Sequence, residues 1–192
     1  MRLDHAEDLA RFVEELRSET DRGLPLVGAA LIDHKLLETL EAFFVKGRSV
    51  ESLLTGGNAA LGSFSSRAAA CFALGLIDEF ENQEIGLIRK IRNEFAHAKH
   101  GISFQSKRVA SLCNNLKSDL PEGADYPITE PRFRFTNAVV SVVLRLYYRP
   151  DWVERERREE KVWVPETYWR SIEDEKPPKG VPVMLMAKPK TE

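Results

Sequence analysis

The chain has 192 residues, 43% of them hydrophobic and 30% charged, with a formal net charge of -2. That length suits one compact domain plus a tail rather than two full-sized domains. The near-neutral charge gives no global sign of a nucleic-acid or membrane binder, so any such binding has to be local. The longest apolar runs fall well short of the roughly 20 residues that a membrane-spanning helix requires. The N-terminus is acidic and amphipathic rather than signal-like, so a cytoplasmic protein without membrane contact is expected. Cys71 and Cys113 each sit in an apolar helical pattern with no Cys/His cluster around them. They read as buried thiols, and neither a metal nor a cofactor is expected.

In chain order, Leu9, Phe12, Val13 and Leu16 mark a first amphipathic helix that stops at Gly23, and Pro25 separates it from the next element. Between Leu26 and Lys46, the positions Val27, Ala30, Leu31, Leu37, Leu40 and Phe44 describe a long second helix, apolar over a wide enough face to be central. Thr55-Gly56-Gly57-Asn58 and Gly62 punctuate the loop that follows. It lacks the Lys-Ser/Thr ending of a phosphate-binding loop, which argues against nucleoside triphosphate binding there. Ser65 or Ser66 is placed as the N-cap of a third helix with the face Ala69, Phe72, Ala73, Leu76 and Ile77. A fourth helix with the stripe Ile85, Ile88, Ile91 and Phe95 pairs with it in antiparallel fashion. From Ser106 to Leu120, the residues Val109, Leu112, Leu116 and Leu120 share one side, and Pro131 opens a largely apolar, buried helix through Tyr148.

Nothing before residue 149 alternates as a strand. The fold class is therefore all-α, a single bundle of about six helices over residues 1–149. Residues 150–192 form a charged linker and a Trp- and Pro-containing tail, extended or partly β. Within it, Glu154 to Lys161 mixes signs evenly, as a solvated helix end or linker does, and Trp163 and Trp169 could anchor an ordered arm.

The stretch that carries candidate chemistry is Arg92-Asn93-Glu94-Phe95-Ala96-His97. The buried stripe of its helix leaves Arg89, Lys90, Arg92 and Asn93 outside the apolar face. Between Ile85 and Arg108 the cations Arg89, Lys90, Arg92, Lys99, Lys107 and Arg108 face Glu94 alone, with His97 and His100 in addition. This is a local patch suited to phosphates. The plain structural account is that Arg92 pairs with an acidic neighbour and His97 caps its helix through the macrodipole. Arg67, Asp33 and His34 are read as structural first.

Three resemblances add to these residues. Ala60-Leu61-Gly62-Ser63-Phe64-Ser65-Ser66-Arg67, then Phe72-Ala73-Leu74-Gly75-Leu76-Ile77, then Leu87 through His97, resembles the mannitol operon repressor (MltR) family over roughly residues 26–104. Arg92-Asn93 followed by His97 resembles the Arg-polar-x-x-x-His signature of HEPN-superfamily ribonucleases. Trp169-Arg170-Ser171-Ile172-Glu173, continuing through Pro177, Gly180 and Val183, resembles the opening of the DUF551 family.

The HEPN resemblance implies a metal-independent endoribonuclease in a toxin, stress or phage-defence setting. Arg92 would stabilise charge on the scissile phosphate, His97 would transfer a proton and Asn93 would position them. Arg89, Lys90, Lys99 and His100 would bind the RNA. On an ideal helix, positions five apart point about 140° away from each other, so a site built from Arg92 and His97 argues for a homodimer that pairs motifs across a two-fold axis. The MltR resemblance implies the alternative, a non-catalytic transcriptional regulator or protein-interaction module with a regulatory protein partner. The sequence shows no helix-turn-helix with a basic recognition helix to support direct DNA reading.

Overall fold

The computed structural model describes residues 3–120 and 125–161, and the tail expectations on Trp163, Trp169 and the DUF551-like stretch lie outside them. Eight α-helices and one 3-10 turn make up the secondary structure of the described residues, and none of these residues is in a strand. The helices are α1 Leu3–Ser18, α2 Gly23–Phe43, α3 Arg48–Leu54, α4 Phe64–Ala73, α5 Glu79–His97, α6 Lys107–Asn114, α7 Pro131–Tyr147 and α8 Arg149–Val153, followed by the 3-10 turn Glu154–Glu156. The all-α class stands, and six of the helices answer to those expected. The short helices α3 and α8 are additions, too brief to show a periodic stripe. One compact unit extends to Glu159. Among the described residues no helix is long and apolar enough to cross a membrane.

Helix α2 is the axis of the bundle and packs against α4, α5, α7 and α8. Ile32, Leu36 and Leu40 on α2, Ile85, Ile88, Ile91 and Phe95 on α5, and Phe135, Val139 and Val142 on α7 are all essentially without solvent exposure. Gly28 lets α7 approach closely, since a Cβ there would stand 3.0 Å from both methyls of Val139. Phe104, between α5 and α6, stacks tilted against Phe95 at 4.9 Å and Phe135 at 5.5 Å, which ties that connection to the core.

Several boundaries differ from expectation for local reasons. Gly23 does not stop α1 but opens α2, its N–H held by the Thr20 hydroxyl at 3.0 Å. Pro25 sits in the first turn of α2, where a missing N–H costs nothing. The N-cap of α4 is Ser63, not Ser65 or Ser66; Ser66 is its partner three residues on in a reciprocal capping box. Helix α4 ends earlier than its pattern suggested. Gly75 takes φ +71°, and the bonds Leu76 N–H to Cys71 O (2.8 Å) and Gly75 N–H to Phe72 O (3.0 Å) form a Schellman closure. The buried side of α4 is Arg67, Ala68 and Cys71, while Ala69, Phe72 and Ala73 face solvent. An inward arginine, not an apolar stripe, sets that register.

Arginines close most helix ends. A helix leaves its last carbonyls without partners, and a guanidinium satisfies them while complementing the negative end of the dipole. Arg132 reaches Glu19 O at the end of α1 (2.5 Å), and Arg157 reaches Glu41 O (3.0 Å) and Phe44 O (2.9 Å) at the end of α2. Arg67 takes Leu54 O at the end of α3 (3.1 Å), and Arg22 takes Ala98 O at the end of α5 (2.6 Å). Arg134 takes Cys113 O (3.0 Å) and Leu116 O at the end of α6. Arg149 serves the α4–α5 turn through Leu76 O (2.5 Å). Each comes from elsewhere in the chain, so these contacts fasten helices to one another as well as closing them.

Candidate functional site

The candidate motif lies on α5, and three features fix how that helix is rotated. Asp78 caps it, accepting from Glu81 N–H at 2.7 Å, while Glu81 returns a carboxylate oxygen to Asp78 N–H at 2.9 Å. The Glu81 side chain is fully buried and its other oxygen takes Arg149 Nη2 at 2.7 Å. One turn on, the buried Glu84 accepts from Lys117 N–H at 2.9 Å and from the Ser118 hydroxyl at 2.5 Å, binding α5 to the chain after α6. With the isoleucine stripe, these contacts hold the opposite edge of α5 toward solvent.

Lys90, Arg92 and His97 are exposed and Arg89 and Asn93 half-buried, but they do not share one edge: Lys90 and His97 lie opposite the stripe, whereas Arg92 flanks it. Arg92 Nη1 donates to Asn93 Oδ1 at 3.1 Å, so two of the three motif residues touch. Helix α5 continues unbroken through His97, and Ala98 N–H still bonds to Glu94 O at 3.1 Å. Positions 92 and 97 therefore keep the divergence of an ideal helix, about 140°, with about 7.5 Å of rise between them. Asn93, one turn before His97, shares its side of the helix, but the two do not hydrogen-bond each other among the described contacts.

The basic patch persists in space. Glu94 pairs with Arg108 at 2.8 Å, and among the described residues Arg89, Lys90, Arg92, Lys99 and Lys107 have no acidic partner. Lys99 and His100 follow α5 directly on the exposed start of the connection anchored by Phe104. No group of acidic, His and Cys side chains among the described residues could hold a metal ion.

The other singled-out residues are structural. Arg67 is buried and each of its three guanidinium nitrogens has a partner: Asp33 at 2.8 Å, Leu61 O at 2.9 Å and Leu54 O at 3.1 Å. The Leu61-to-Arg67 stretch is thus a folding motif that joins α2, α3 and α4. His34 is exposed and lies 3.2 Å from Glu38 one turn along α2. Cys71 and Cys113 are buried, and desolvation pushes each thiol from 9.0 up to about 12, only partly offset by Arg149 and Arg134 respectively. Sequence reasoning did not single out Glu81 and Glu84, although a Glu three residues after an Asp at a helix start was a legible capping signal for the first.

No protein-family model matches the chain, and no curated protein matches it. Among solved structures, a chain of the X-ray structure of the MtlR–HPr complex from Escherichia coli matches over 76% of this chain and 98% of its own length, at 22% sequence identity and a TM-score of 0.50. At that identity the likeness is one of fold. The helical body has the architecture of an MtlR-like bundle.

Proposed function

We propose that the chain is a regulatory protein-interaction module that docks a protein partner and performs no chemistry of its own. The observation that carries this reading is the likeness in fold to a chain crystallised with HPr, a protein partner. The unbroken course of α5 through the motif agrees with it, since Arg92 and His97 leave the helix about 140° apart and their backbone does not bend to bring them together. Titration calorimetry of the purified chain with HPr tests it. Saturable heat with a stoichiometry near one is expected, and no heat at any concentration would remove HPr as the partner.

A second reading is favoured by one observation, the Arg92–Asn93 contact on a solvent-facing, acid-poor edge. On this reading the chain is a HEPN-like, metal-independent endoribonuclease of a toxin, stress or phage-defence system. Arg92 and Asn93 of one protomer would meet His97 of another across a homodimer, with Arg89, Lys90, Lys99 and His100 holding RNA. Mixed subunits test it. Arg92→Ala and His97→Ala chains, each inactive alone, would regain cleavage when mixed, because one site of the mixed dimer keeps both groups. Absence of complementation, with either single variant active, would end this reading.

A further inference from the structure

The outward face of α5 carries a glycine that nothing within the chain explains. Gly86 stands near the middle of this 19-residue helix, on the side away from the isoleucine stripe, and a Cβ there would meet no atom within 4 Å. A glycine inside a helix costs roughly 1 kcal/mol relative to alanine. At Gly28 the close approach of α7 offsets that cost, whereas at Gly86 no neighbouring element does. The opening faces outward. Helices that cross on side chains stand about 8–10 Å apart, and a glycine at the crossing point lets two axes come nearer. Polar residues continue along the same face on both sides of Gly86, with Glu79, Asn82 and Gln83 before it and Arg89, Lys90, Asn93 and His97 after it. Charge divides at the glycine, acid toward the N-terminus and cations toward the C-terminus. Glu79 accepts from Gln83 Nε2 at 2.7 Å, and among the described residues neither it nor Arg89 nor Lys90 has an ion-pair partner.

We propose that α5 pairs with α5 of a second copy of the chain, antiparallel, with a two-fold axis at Gly86. The register follows from the axis, since residues equally far before and after Gly86 then oppose each other. Asn82 meets the partner's Lys90 and Gln83 meets the partner's Arg89, which sets amide carbonyls against cationic donors. Glu79 meets the partner's Asn93, with the partner's Lys90 and the partner's His97 on either side, about 4.5 and 6 Å along the axis. No mirrored position sets like charges together. At a helix crossing of about 20° these flanking residues stay within reach of one another. Beside α5, helix α4 exposes Ala69, Phe72 and Ala73 and no charge, an apolar rim for the contact. The division of charge along the face favours a second copy over an acidic partner, which Glu79 would repel. In this dimer Arg92 stands about 25 Å along the axis from the partner's His97, so the pairing builds no composite site from the motif.

Sedimentation equilibrium of the full chain tests it. A wild-type dimer is expected. Gly86→Leu should weaken it at least about tenfold while keeping the helical circular dichroism of the parent, because a Cβ there meets nothing within the protomer and leucine favours a helix. Glu79→Lys and Lys90→Glu should each weaken it severalfold, and the two together should regain most of the loss, since the pair is then reversed across the axis. Arg48→Ala on α3 should change nothing. The proposal falls if the wild type is a monomer at every concentration, if Gly86→Leu dimerises as tightly, or if the double reversal is no better than the single ones. A dimer kept in Gly86→Leu but lost in Arg92→Ala would place the motif on the axis and overturn it as well. The pairing goes beyond the docking reading, and HPr bound alike by wild type and Gly86→Leu leaves that reading standing whichever way the sedimentation falls.

Discussion

Arg67 and Arg92 sit on successive helices of one hairpin and are used in opposite ways. The first is buried, with its guanidinium spread over a carboxylate and two carbonyls; the second is exposed and touches one amide. The difference recurs through the molecule. Arg132, Arg134, Arg149 and Arg157 close helix ends, whereas Arg89 and Lys90 on α5 and Lys99 just after it have no acidic partners among the described residues. Arginine content alone is thus a poor guide to ligand binding in this chain. What distinguishes a cation free for a partner is that no helix end consumes it.

The contrast predicts a graded set of effects. Arg67→Ala strips Asp33, Leu54 O and Leu61 O of their partner at once and should cost about 3 kcal/mol of unfolding free energy in urea, since removing one member of a buried pair leaves the other uncompensated. Asp33 keeps some solvent contact, which places the cost at the low end of that range. Lysine at the same position should recover little, lacking the fork that reaches three acceptors. Arg149→Met leaves the fully buried Glu81 without its cation, with only the Asp78 N–H still donating to it, and should cost a similar amount, about 3 kcal/mol. Gly75→Ala meets no neighbouring atom but forces a left-handed backbone on a residue with a Cβ, so about 1 kcal/mol is expected.

The thiols give a pH test. Their folded-state values, near 12 against 9.0, mean that above about pH 9 the unfolded chain releases protons that the folded chain retains. Stability should therefore fall as pH rises through this window, and the fall should shrink in a Cys71→Ala, Cys113→Ala double variant. A flat profile from pH 8 to pH 10 would show that the thiols are not held protonated by the fold. The smallest effects belong to Arg92→Ala and His97→Ala, which should leave the urea midpoint where it is because neither side chain supports a neighbouring helix.

Periodicity made α5 readable because Ile85, Ile88, Ile91 and Phe95 repeat at helical spacing against polar neighbours, and all four are buried. Helix α4 misled for a physical reason. Alanines occupy both its faces, so the pattern carried no direction, and the residue that fixes its rotation is a buried arginine whose acceptors lie 6, 13 and 34 positions away. The same distance in sequence hid the other helix-closing arginines, of which Arg132 and Arg157 reach 113 and 116 positions. At the candidate site, the residues and their place near a helix end were legible. Whether Arg92 and His97 meet was not, because that depends on how a second copy of the chain is placed, which the motif itself does not encode.

The central claim, that this bundle binds rather than cuts, is tested most directly by incubating the purified wild-type chain with mixed RNA in EDTA and examining the product ends. The account predicts intact RNA at every protein concentration, including those at which any dimer would form. Fragments ending in a 2′,3′-cyclic phosphate, lost in both Arg92→Ala and His97→Ala, would contradict it.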